Sequence, residues 1–396
     1  MVLFDRMEKI SADNDIHEIL SRIIDPEHSD AMPDRFLGTT LDLSECFFFF
    51  STMDTDEIPH FLFNRLEFLD IEAFTPEEKV RIAQRVLIPK AMRTMGLPEG
   101  SIVFPPEILR HIIDENTFEN GVADLESLIL KTCRSLAADL NRKGGRENPL
   151  RVNQTLLNNT LGPITQIKHP TIWKPEVGVI PGLAVLGSIG KLLRLESTLY
   201  PASGATDLRI TGLPDEMFAE SVRCARSCLL GHYDTISQFF QKRKTRGLRP
   251  VQVRKEEVAQ QEMHFHFPHG GVPKSGTSAG LGSFLAVTSK VFQIPPAENL
   301  AVTGEITING LVQAIGGVGE KMDGAIRAGV KTLVFPKENE TEVIHYLRRL
   351  AKSRKTRFMQ SSDKTFHLVA ARNPKEKVVT VVLVENYLEA LETVFP

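Results

Sequence analysis

The chain has 396 residues, of which 42% are hydrophobic and 24% are charged, and its formal net charge is −3 at pH 7. This length is sufficient for two or three domains, and the composition is that of a globular protein with buried cores. The small negative charge excludes a dominant nucleic-acid partner, because no surplus of basic residues is available to neutralise phosphates.

The N-terminal part of the chain combines short strands with helices. Two apolar runs, 2–5 and 46–50, predict buried parallel strands. The segment 75–78, Thr-Pro-Glu-Glu, predicts a helix start with a threonine cap and proline in the first turn. Helical spacing of apolar residues continues to about residue 142, as shown by Leu125, Ile129, Thr132, Leu136 and Leu140. The polar segment 141–149, which is rich in helix breakers, then predicts a domain boundary.

The second half of the chain alternates strand and helix patterns, which predicts a second α/β domain. Strands are predicted at 178–186 and 192–200, joined by a hairpin at 187–190. A long helix is predicted from Pro214 to Phe240. The remaining predicted elements are strand 263–267, a helix from Ser278 to about Phe292, strand 301–308, a hairpin at Asn309-Gly310 leading into 311–315, a helix from Glu320 to near Gly329, strands 331–335 and 378–384, and a last helix.

Ser278 and Lys321 are the candidate catalytic pair. They lie 43 residues apart, in the glycine-punctuated segments 273–280 and 315–321. A desolvated lysine loses its proton and can serve as general base for a serine nucleophile. Lys321 is predicted in the first turn of a helix among apolar residues, where both the helix dipole and desolvation lower the pKa of an amine. Ser278 is predicted at a helix start, where backbone N–H groups can stabilise an oxyanion.

Other interpretations of the serine segment remain open at this point. Residues 276–280 match G-x-S-x-G of the α/β-hydrolases, but ten residues separate the preceding predicted strand from Ser278. The segment could also be a glycine-rich turn that only caps a helix, and Lys321 could be a solvated surface lysine. Two S-x-x-K strings, Ser188 with Lys191 and Ser361 with Lys364, are predicted in a hairpin and a polar loop. They lack the helical context that makes this spacing catalytic.

A metal site is not expected. His264, His266 and His269 form H-x-H-x-x-H, but their alternation with Phe265 and Phe267 indicates a strand with histidines on one face. No acidic or cysteine residue offers an obvious fourth ligand. The four cysteines do not form a metal motif either: Cys46, Cys133, Cys224 and Cys228. Cys224 and Cys228 lie four residues apart in an amphipathic helix pattern and are predicted to be small core residues in a reducing compartment.

The serine and lysine segments resemble those of the Lon protease family. Residues 264–280 resemble the family's H-V-H-V-P-E-G-A-x-P-K-D-G-P-S-A-G stretch. Residues 303–321 resemble its T-G-E-I-T-L-x-G-x-V-x-x-I-G-G-x-x-E-K stretch, and the resemblance extends over 177–396. It implies that Ser278 is the nucleophile and Lys321 the base. It also implies neighbours of this dyad, namely Thr303, Glu305 and His266.

The N-terminal part resembles the end of the family's AAA+ module. Residues 3–9 resemble the Walker B strand, 58–65 the arginine-finger segment, and 76–142 the helical small subdomain. The chain contains no phosphate-binding loop of the form G-x-x-x-x-G-K-[ST]. Five positions of this chain align with the family's nucleotide site, and most of them hold a residue that differs from the family's. They are Asp5, Arg6, Met53, Arg65 and Ala123. ATP–Mg²⁺ binding and other cofactors are therefore not expected.

The peptidase loop also departs from the family pattern. His269 stands where the family has Glu, Ser275 where it has Asp, and Thr277 where it has Pro.

The resemblance implies an α/β (α+β) fold, a Lon-type proteolytic domain preceded by AAA+ remnants. The expected organisation is a partial AAA+ α/β subdomain at 1–75, a helical AAA+ small subdomain at 76–142, a connector at 143–176 and the proteolytic domain at 177–396. The expected function is a serine endopeptidase that cleaves unfolded or damaged proteins without an ATPase activity of its own. The alternatives are a non-catalytic assembly or adaptor protein, and a fragment of a full ATP-dependent Lon protease.

The expected partners are unfolded protein or peptide substrates and, by analogy with ring-forming relatives, further copies of the chain. No apolar run reaches the length of a membrane span, and the N-terminus lacks the apolar core of a signal peptide. A cytoplasmic location without a membrane or nucleic-acid partner is therefore expected.

Overall fold

The computed structural model describes residues 1–7, 14–25, 27–34, 36–52, 58, 60–69, 71, 73–117, 119–142, 149–161, 174–186, 189–201, 208–242, 250–251, 253–268, 276–353, 356–370 and 373–396. These residues fall into two compact units, Met1–Glu72 and Ala73–Pro396. The finer domain division expected from the sequence stays a prediction. No helix in these stretches is long and apolar enough to cross a membrane.

The described part of the unit Met1–Glu72 contains short strands and helices. In chain order they are β1 (Val2–Phe4), α1 (Asn14–Ile24), β2 (Met32–Asp34), β3 (Thr39–Leu41), β4 (Phe48–Phe50) and α2 (His60–Phe63). Strands β2 and β3 form an antiparallel pair. Strands β1 and β4 pair in parallel, which confirms the parallel strands predicted from the two apolar runs.

The predicted burial of these parallel strands is wrong for one of their faces. The Leu3 and Phe49 side chains are 63% and 46% exposed. On the other face, the rings of Phe4 and Phe50 stack with centroids 5.2 Å apart against the small core of this unit. Successive side chains of a strand point to opposite faces, so only one face of the pair reaches that core.

The unit Ala73–Pro396 begins with a mainly helical region. Its elements are α3 (Pro76–Ile82), a π-helical turn (Ala83–Leu87), α4 (Ile88–Thr94), β5 (Ile102–Val103), α5 (Pro106–Asn116), α6 (Ala123–Arg142), β6 (Leu150–Arg151) and α7 (Gln154–Leu161). The predicted helix start is confirmed by a capping box: Glu78 N donates to Thr75 Oγ1 at 3.3 Å, and Thr75 N donates to Glu78 Oε2 at 2.8 Å. The predicted stripe of α6 is buried at Leu125, Ile129 and Leu136.

The rest of this unit is built on a mixed sheet. Its strands are β7 (Val179–Leu186), β8 (Ile189–Pro201), β9 (Leu208–Thr211), β10 (Gln261–His266), β11 (Leu300–Val302), β12 (Glu305–Ile306), β13 (Val312–Gln313), β14 (Thr332–Pro336), β15 (Thr356–Ser362), β16 (Thr365–Ala370) and β17 (Asn373–Val384). Nine of the described strands join in the order β15-β16-β17-β14-β11-β7-β8-β10-β9. Strands β12 and β13 form a separate antiparallel hairpin, as the Asn-Gly turn predicts.

Helices cover both faces of this sheet. They are α8 (Glu216–Gly231), α9 (Tyr233–Lys242), α10 (Lys255–Ala259), α11 (Gly280–Phe292), α12 (Val318–Arg327), α13 (Glu340–Ser353) and α14 (Tyr387–Val394). Neighbouring residues of one strand enter different cores: Val302 packs in the core with α8 and α11, and Ala301 packs in the core with α12 and α13. Because side chains alternate along a strand, the two cores lie on opposite faces of the sheet. This mixed architecture confirms the predicted α/β (α+β) class.

Several element boundaries differ from the prediction. The helix expected from Pro214 to Phe240 is interrupted at His232, whose ring lies 4.8 Å from the ring of Tyr387. The strand expected at 301–308 is split, because Thr303 and Gly304 leave the sheet between β11 and β12. The helices expected from Ser278 and Glu320 begin instead at Gly280 and Val318.

Candidate active site

Ser278 lies in a tight turn at the entrance of α11. Gly276 adopts φ +90°, a conformation that suits glycine, and the amide of Gly280 donates to the carbonyl of Thr277 at 3.1 Å. The helix that follows is almost entirely buried. A β-carbon on Gly280 would lie 3.1 Å from the amide nitrogen of Ile306, so this turn packs closely against β12. The half-buried Ser278 is thereby presented at the edge of a rigid core helix.

The segment between β11 and β12 binds this turn. The carbonyl of Ser278 accepts hydrogen bonds from Gly304 N at 3.0 Å and from Thr303 Oγ1 at 3.5 Å. Leu281 N donates back to Gly304 O at 3.0 Å. Thr277 Oγ1 donates to Glu305 Oε2. The structure therefore brings two predicted neighbours of the dyad, Thr303 and Glu305, into contact with the turn that carries Ser278.

Lys321 lies in the first turn of α12, as predicted, and only 3% of its surface is exposed. Gly317 at the N-cap adopts φ +70°, and its carbonyl accepts the amide of Lys321 at 3.0 Å. Burial lowers the pKa of the Lys321 amine from 10.5 to about 8, and the adjacent Glu320 carboxylate opposes this shift. A lysine with this pKa is substantially neutral slightly above physiological pH and can then accept a proton.

Two glycines set the position of α12 against the sheet. A β-carbon on Gly190 of β8 would lie 1.7 Å from the carbonyl oxygen of Glu320. A β-carbon on Gly324 of α12 would lie 2.1 Å from the carbonyl oxygen of Gly190. The two backbones are therefore in direct contact, which only glycine allows at both positions. This contact lies beside Lys321 and sets how closely the α12 backbone at that residue approaches the sheet.

Within the described residues, no hydrogen bond joins Ser278 Oγ to Lys321 Nζ. Both side chains belong to the unit Ala73–Pro396, and the two helices that begin next to them pack on opposite faces of the sheet, α11 in one core and α12 in the other.

His266, the third predicted neighbour, lies at the end of β10. Its Nδ1 is 2.8 Å from Thr211 Oγ1, and the Nε2 of His264 is 3.0 Å from the same hydroxyl. Burial lowers the pKa of His264, with contributions from the charges of Arg209 and His266. His269 and Ser275 lie outside the described residues. Among the residues that the structure describes, no group of three or more His, Cys, Asp or Glu side chains is arranged to hold a metal ion.

The competing S-x-x-K strings have other contacts. Ser361 Oγ lies 3.0 Å from Nε2 of His367. Lys364 Nζ pairs with Glu389 at 2.7 Å and with Glu385 at 3.1 Å, and these partners raise its pKa. A lysine with a raised pKa is a poor general base. Ser188 of the other string lies outside the described residues.

The residues that match the family's nucleotide site are divided between the two units. Asp5 accepts the Ser51 hydroxyl at 2.5 Å, and the amide of Arg6 donates to Ser51 Oγ at 3.0 Å. Arg65 Nη1 lies 2.9 Å from Asp25 Oδ2, and this hydrogen bond lowers the pKa of Asp25. Ala123 is the first residue of α6, and Met53 lies outside the described residues. The expectation that this site binds no ATP stays a prediction.

Some contacts of the site were not predicted from the sequence. They involve Thr277 as donor to Glu305, Thr211 as partner of two histidines, and Gly190 as the contact of α12. Each joins residues far apart in the chain. The sequence indicated only one of these positions in advance, Thr277, because the family has a proline there.

Comparison with known proteins indicates the family to which the chain is similar. The family model for the Lon protease (S16) C-terminal proteolytic domain matches residues 151–370. A Lon protease of Geobacter metallireducens is 32% identical over 343 residues, which is 86% of this chain and 39% of that relative. Lon proteases of Trichlorobacter lovleyi and Anaeromyxobacter dehalogenans are 31% and 32% identical over 94% of this chain, and the matches cover 44% and 43% of those relatives. The chain thus spans less than half the length of these relatives.

Proposed function

The chain belongs to the Lon protease family, and we propose that it is a serine endopeptidase with Ser278 as nucleophile and Lys321 as general base. The observation that carries the proposal is the burial of Lys321, which lowers the pKa of its amine to about 8. Strongly shifted pKa values are concentrated at catalytic sites, because chemistry at neutral pH needs groups that exchange protons there.

The reaction follows from the chemistry of the pair. Neutral Lys321 takes the proton of the Ser278 hydroxyl while the oxygen attacks the carbonyl carbon of the scissile peptide bond. The resulting tetrahedral intermediate collapses when the protonated lysine gives its proton to the leaving amine. Water then attacks the acyl-enzyme while Lys321 accepts one of its protons. When the ester bond breaks, Lys321 returns this proton to the Ser278 oxygen, which releases the acid product and restores the serine.

Backbone amides at the turn would hold the oxyanion of the intermediate. Gly280 N and Leu281 N are engaged with the carbonyls of Thr277 and Gly304. We therefore assign this role to the amides of Ser278 and Ala279, which precede the buried helix α11. Removal of a single oxyanion donor in other hydrolases lowers kcat by about two to three orders of magnitude.

The proposed substrates are unfolded or damaged polypeptides, because an extended chain can reach a half-buried serine at the edge of a rigid domain. The proposal includes a homo-oligomeric ring, a cytoplasmic location and cleavage that does not depend on ATP. These parts are supported by the family relationship and by the residues at the positions of the nucleotide site.

The test is cleavage of an unfolded protein by the purified chain, with and without ATP, compared with Ser278→Ala. We expect cleavage that requires Ser278 and does not change when ATP is added. Cleavage by Ser278→Ala at the rate of the unaltered chain would contradict the assignment of the nucleophile. Absence of cleavage by either protein would favour the alternative function, a non-catalytic assembly protein.

A further inference from the structure

An open pocket of about 570 Å³ lies between strand β9 and helix α8. Its apolar lining consists of Leu208, Ile210, Pro214 and Ala219. Its polar lining consists of Arg223, Arg226 and Ser227. The helix residues are spaced so that they share one face of α8, and the two strand residues share one face of β9. The pocket thus combines an apolar floor with two guanidinium groups.

The loop at the rim of this pocket is held in a strained conformation. Leu213 has φ +58°, which is unfavourable for leucine, and its side chain is 57% exposed. Gly212 has φ +112°, and a β-carbon there would lie 2.1 Å from the carbonyl oxygen of Phe267. Met217, in the first turn of α8, is 54% exposed. The rim therefore presents two large apolar side chains to solvent from a fixed backbone.

The pocket belongs to the same substructure as the proposed catalytic serine. Thr211, the last residue of β9, contacts His266 of β10, and its carbonyl accepts the amide of Phe267 at 3.0 Å. Ser221 on α8 packs against the turn of Ser278, since its hydroxyl oxygen would lie 3.3 Å from a β-carbon on Gly280. A polypeptide bound in the pocket is therefore held by helix α8, which contacts the catalytic turn, and by strand β9, which contacts the end of β10.

We propose that this pocket binds an extended segment of the substrate polypeptide in which acidic side chains alternate with apolar ones. The statement that the bound polypeptide is a substrate rests on the proposed function, whereas the binding itself does not. Guanidinium groups pair with carboxylates in a planar, directional way. Two guanidinium groups match two acidic side chains, and alternation places these on one face of an extended segment while apolar residues face the other way.

Two features favour this occupant. Arg223 pairs with Glu216 at 3.2 Å, but the two side chains are 53% and 89% exposed, so a carboxylate of the ligand can replace Glu216 at little cost. Strand β9 is the last strand of the sheet and pairs only with β10 among the described strands. Its outer edge can accept the backbone of an extended peptide by strand addition.

Binding is measured by fluorescence anisotropy on the full chain carrying Ser278→Ala, so that the probe is not cleaved. The probe is a dye-labelled peptide in which glutamate alternates with leucine, and its control is the same peptide with glutamine in place of glutamate. We expect the glutamate peptide to bind about tenfold more tightly, since a charge-assisted contact has roughly that effect on affinity. The combined substitution Arg223→Gln and Arg226→Gln should abolish this difference.

Matched variants distinguish binding in the pocket from a general effect of protein charge and from an effect of misfolding. Arg209 lies on β9 with its side chain on the opposite face, so Arg209→Gln should keep the preference for the glutamate peptide. Leu213→Asn should weaken both peptides without loss of folding, because asparagine tolerates the positive φ at this position. Equal binding of the two peptides, or an equal loss in Arg209→Gln, would overturn the proposal.

Other occupants are distinguished by the same experiment. If a peptide whose only carboxylate is its C-terminus binds as tightly as the glutamate peptide, the pocket recognises chain ends and the proposal is wrong. If the double arginine variant changes the oligomeric state, the pocket holds a second copy of the chain and the proposal is also wrong. Cleavage without a glutamate preference would refute this inference alone, and glutamate-dependent binding without any cleavage would refute the proposed peptidase alone.

Discussion

Thr277, the residue directly before Ser278, donates a hydrogen bond from its hydroxyl to the carboxylate of Glu305. In the Lon motif that the sequence resembles, this position is a proline, which fixes the backbone through its ring. Here the backbone at 277 is held by a side-chain hydrogen bond to Glu305 at the start of β12, beside the bonds from Thr303 and Gly304 to the carbonyl of Ser278. In the motif the proline ring restrains this position covalently, whereas in this chain the hydrogen bond from Thr277 to the charged Glu305 carboxylate restrains it.

Removing the Thr277 hydroxyl should impair turnover more than substrate binding. A hydrogen bond to a charged group contributes about 1.5–3 kcal/mol, so Thr277→Val should lower kcat by about tenfold or more with little change in KM. Thr277→Ser keeps the donor and is the matched control, with kcat close to that of the unaltered chain. Steady-state cleavage of a quenched fluorescent peptide gives both constants. An unchanged kcat in Thr277→Val would show that the hydrogen bond does not position Ser278.

Cleavage should increase with pH as Lys321 loses its proton. The pKa of its amine is lowered to about 8, so the rate should rise through pH 8 and level off above it. Lys321→Arg should abolish turnover, because a guanidinium stays protonated and cannot accept the serine proton. Lys321→Gln should be inactive as well. Initial rates across the pH range test this, and appreciable cleavage by both variants would point to another base, with His266 as the first candidate.

Lys321 should also destabilise the fold at neutral pH. The pKa of its amine is about 8 in the folded chain and 10.5 when solvated, so the unfolded state binds more protons between these values. Stability therefore falls as pH decreases from 10.5 to about 8 and stays low below that. Lys321→Met removes this penalty and should raise the free energy of unfolding at pH 7 by about 1–3 kcal/mol. The gain should shrink towards pH 10.5, and urea unfolding at several pH values measures it. A gain that does not vary with pH would be inconsistent with titration of Lys321.

Gly190→Ala should disrupt the contact between β8 and α12. Its β-carbon would lie 1.7 Å from the carbonyl oxygen of Glu320, so the strand and the helix must separate. We expect a loss of about 3 kcal/mol or more in the free energy of unfolding, together with loss of cleavage. The control is Gly231→Ala in α8, where no atom lies within 4 Å of the added carbon. That variant should be neutral or more stable by about 0.5–1 kcal/mol. Equal effects of the two substitutions in urea unfolding would contradict the close contact.

The family, the parts of the fold with strong local signals and the candidate pair were all predicted from the amino-acid sequence alone. The segments around Ser278 and Lys321 each carry a resemblance that the family comparison confirms. The start of α3 and the hairpin between β12 and β13 were predicted, because a capping box and an Asn-Gly turn are formed by neighbouring residues. Local signals of this kind do not depend on how distant segments pack.

The groups that meet at the candidate site from distant parts of the chain became known only from the folded structure. His232, where the predicted helix is interrupted, contacts Tyr387, and Thr303 and Gly304, which follow β11, donate hydrogen bonds to the carbonyl of Ser278. The lowered pKa of Lys321 arises from burial. Burial, like the backbone contact at Gly190, is created when helices and strands that are separate in sequence pack together. A pattern along the chain can predict an apolar neighbourhood, but the distances that set hydrogen bonds and proton affinity exist only in the folded molecule.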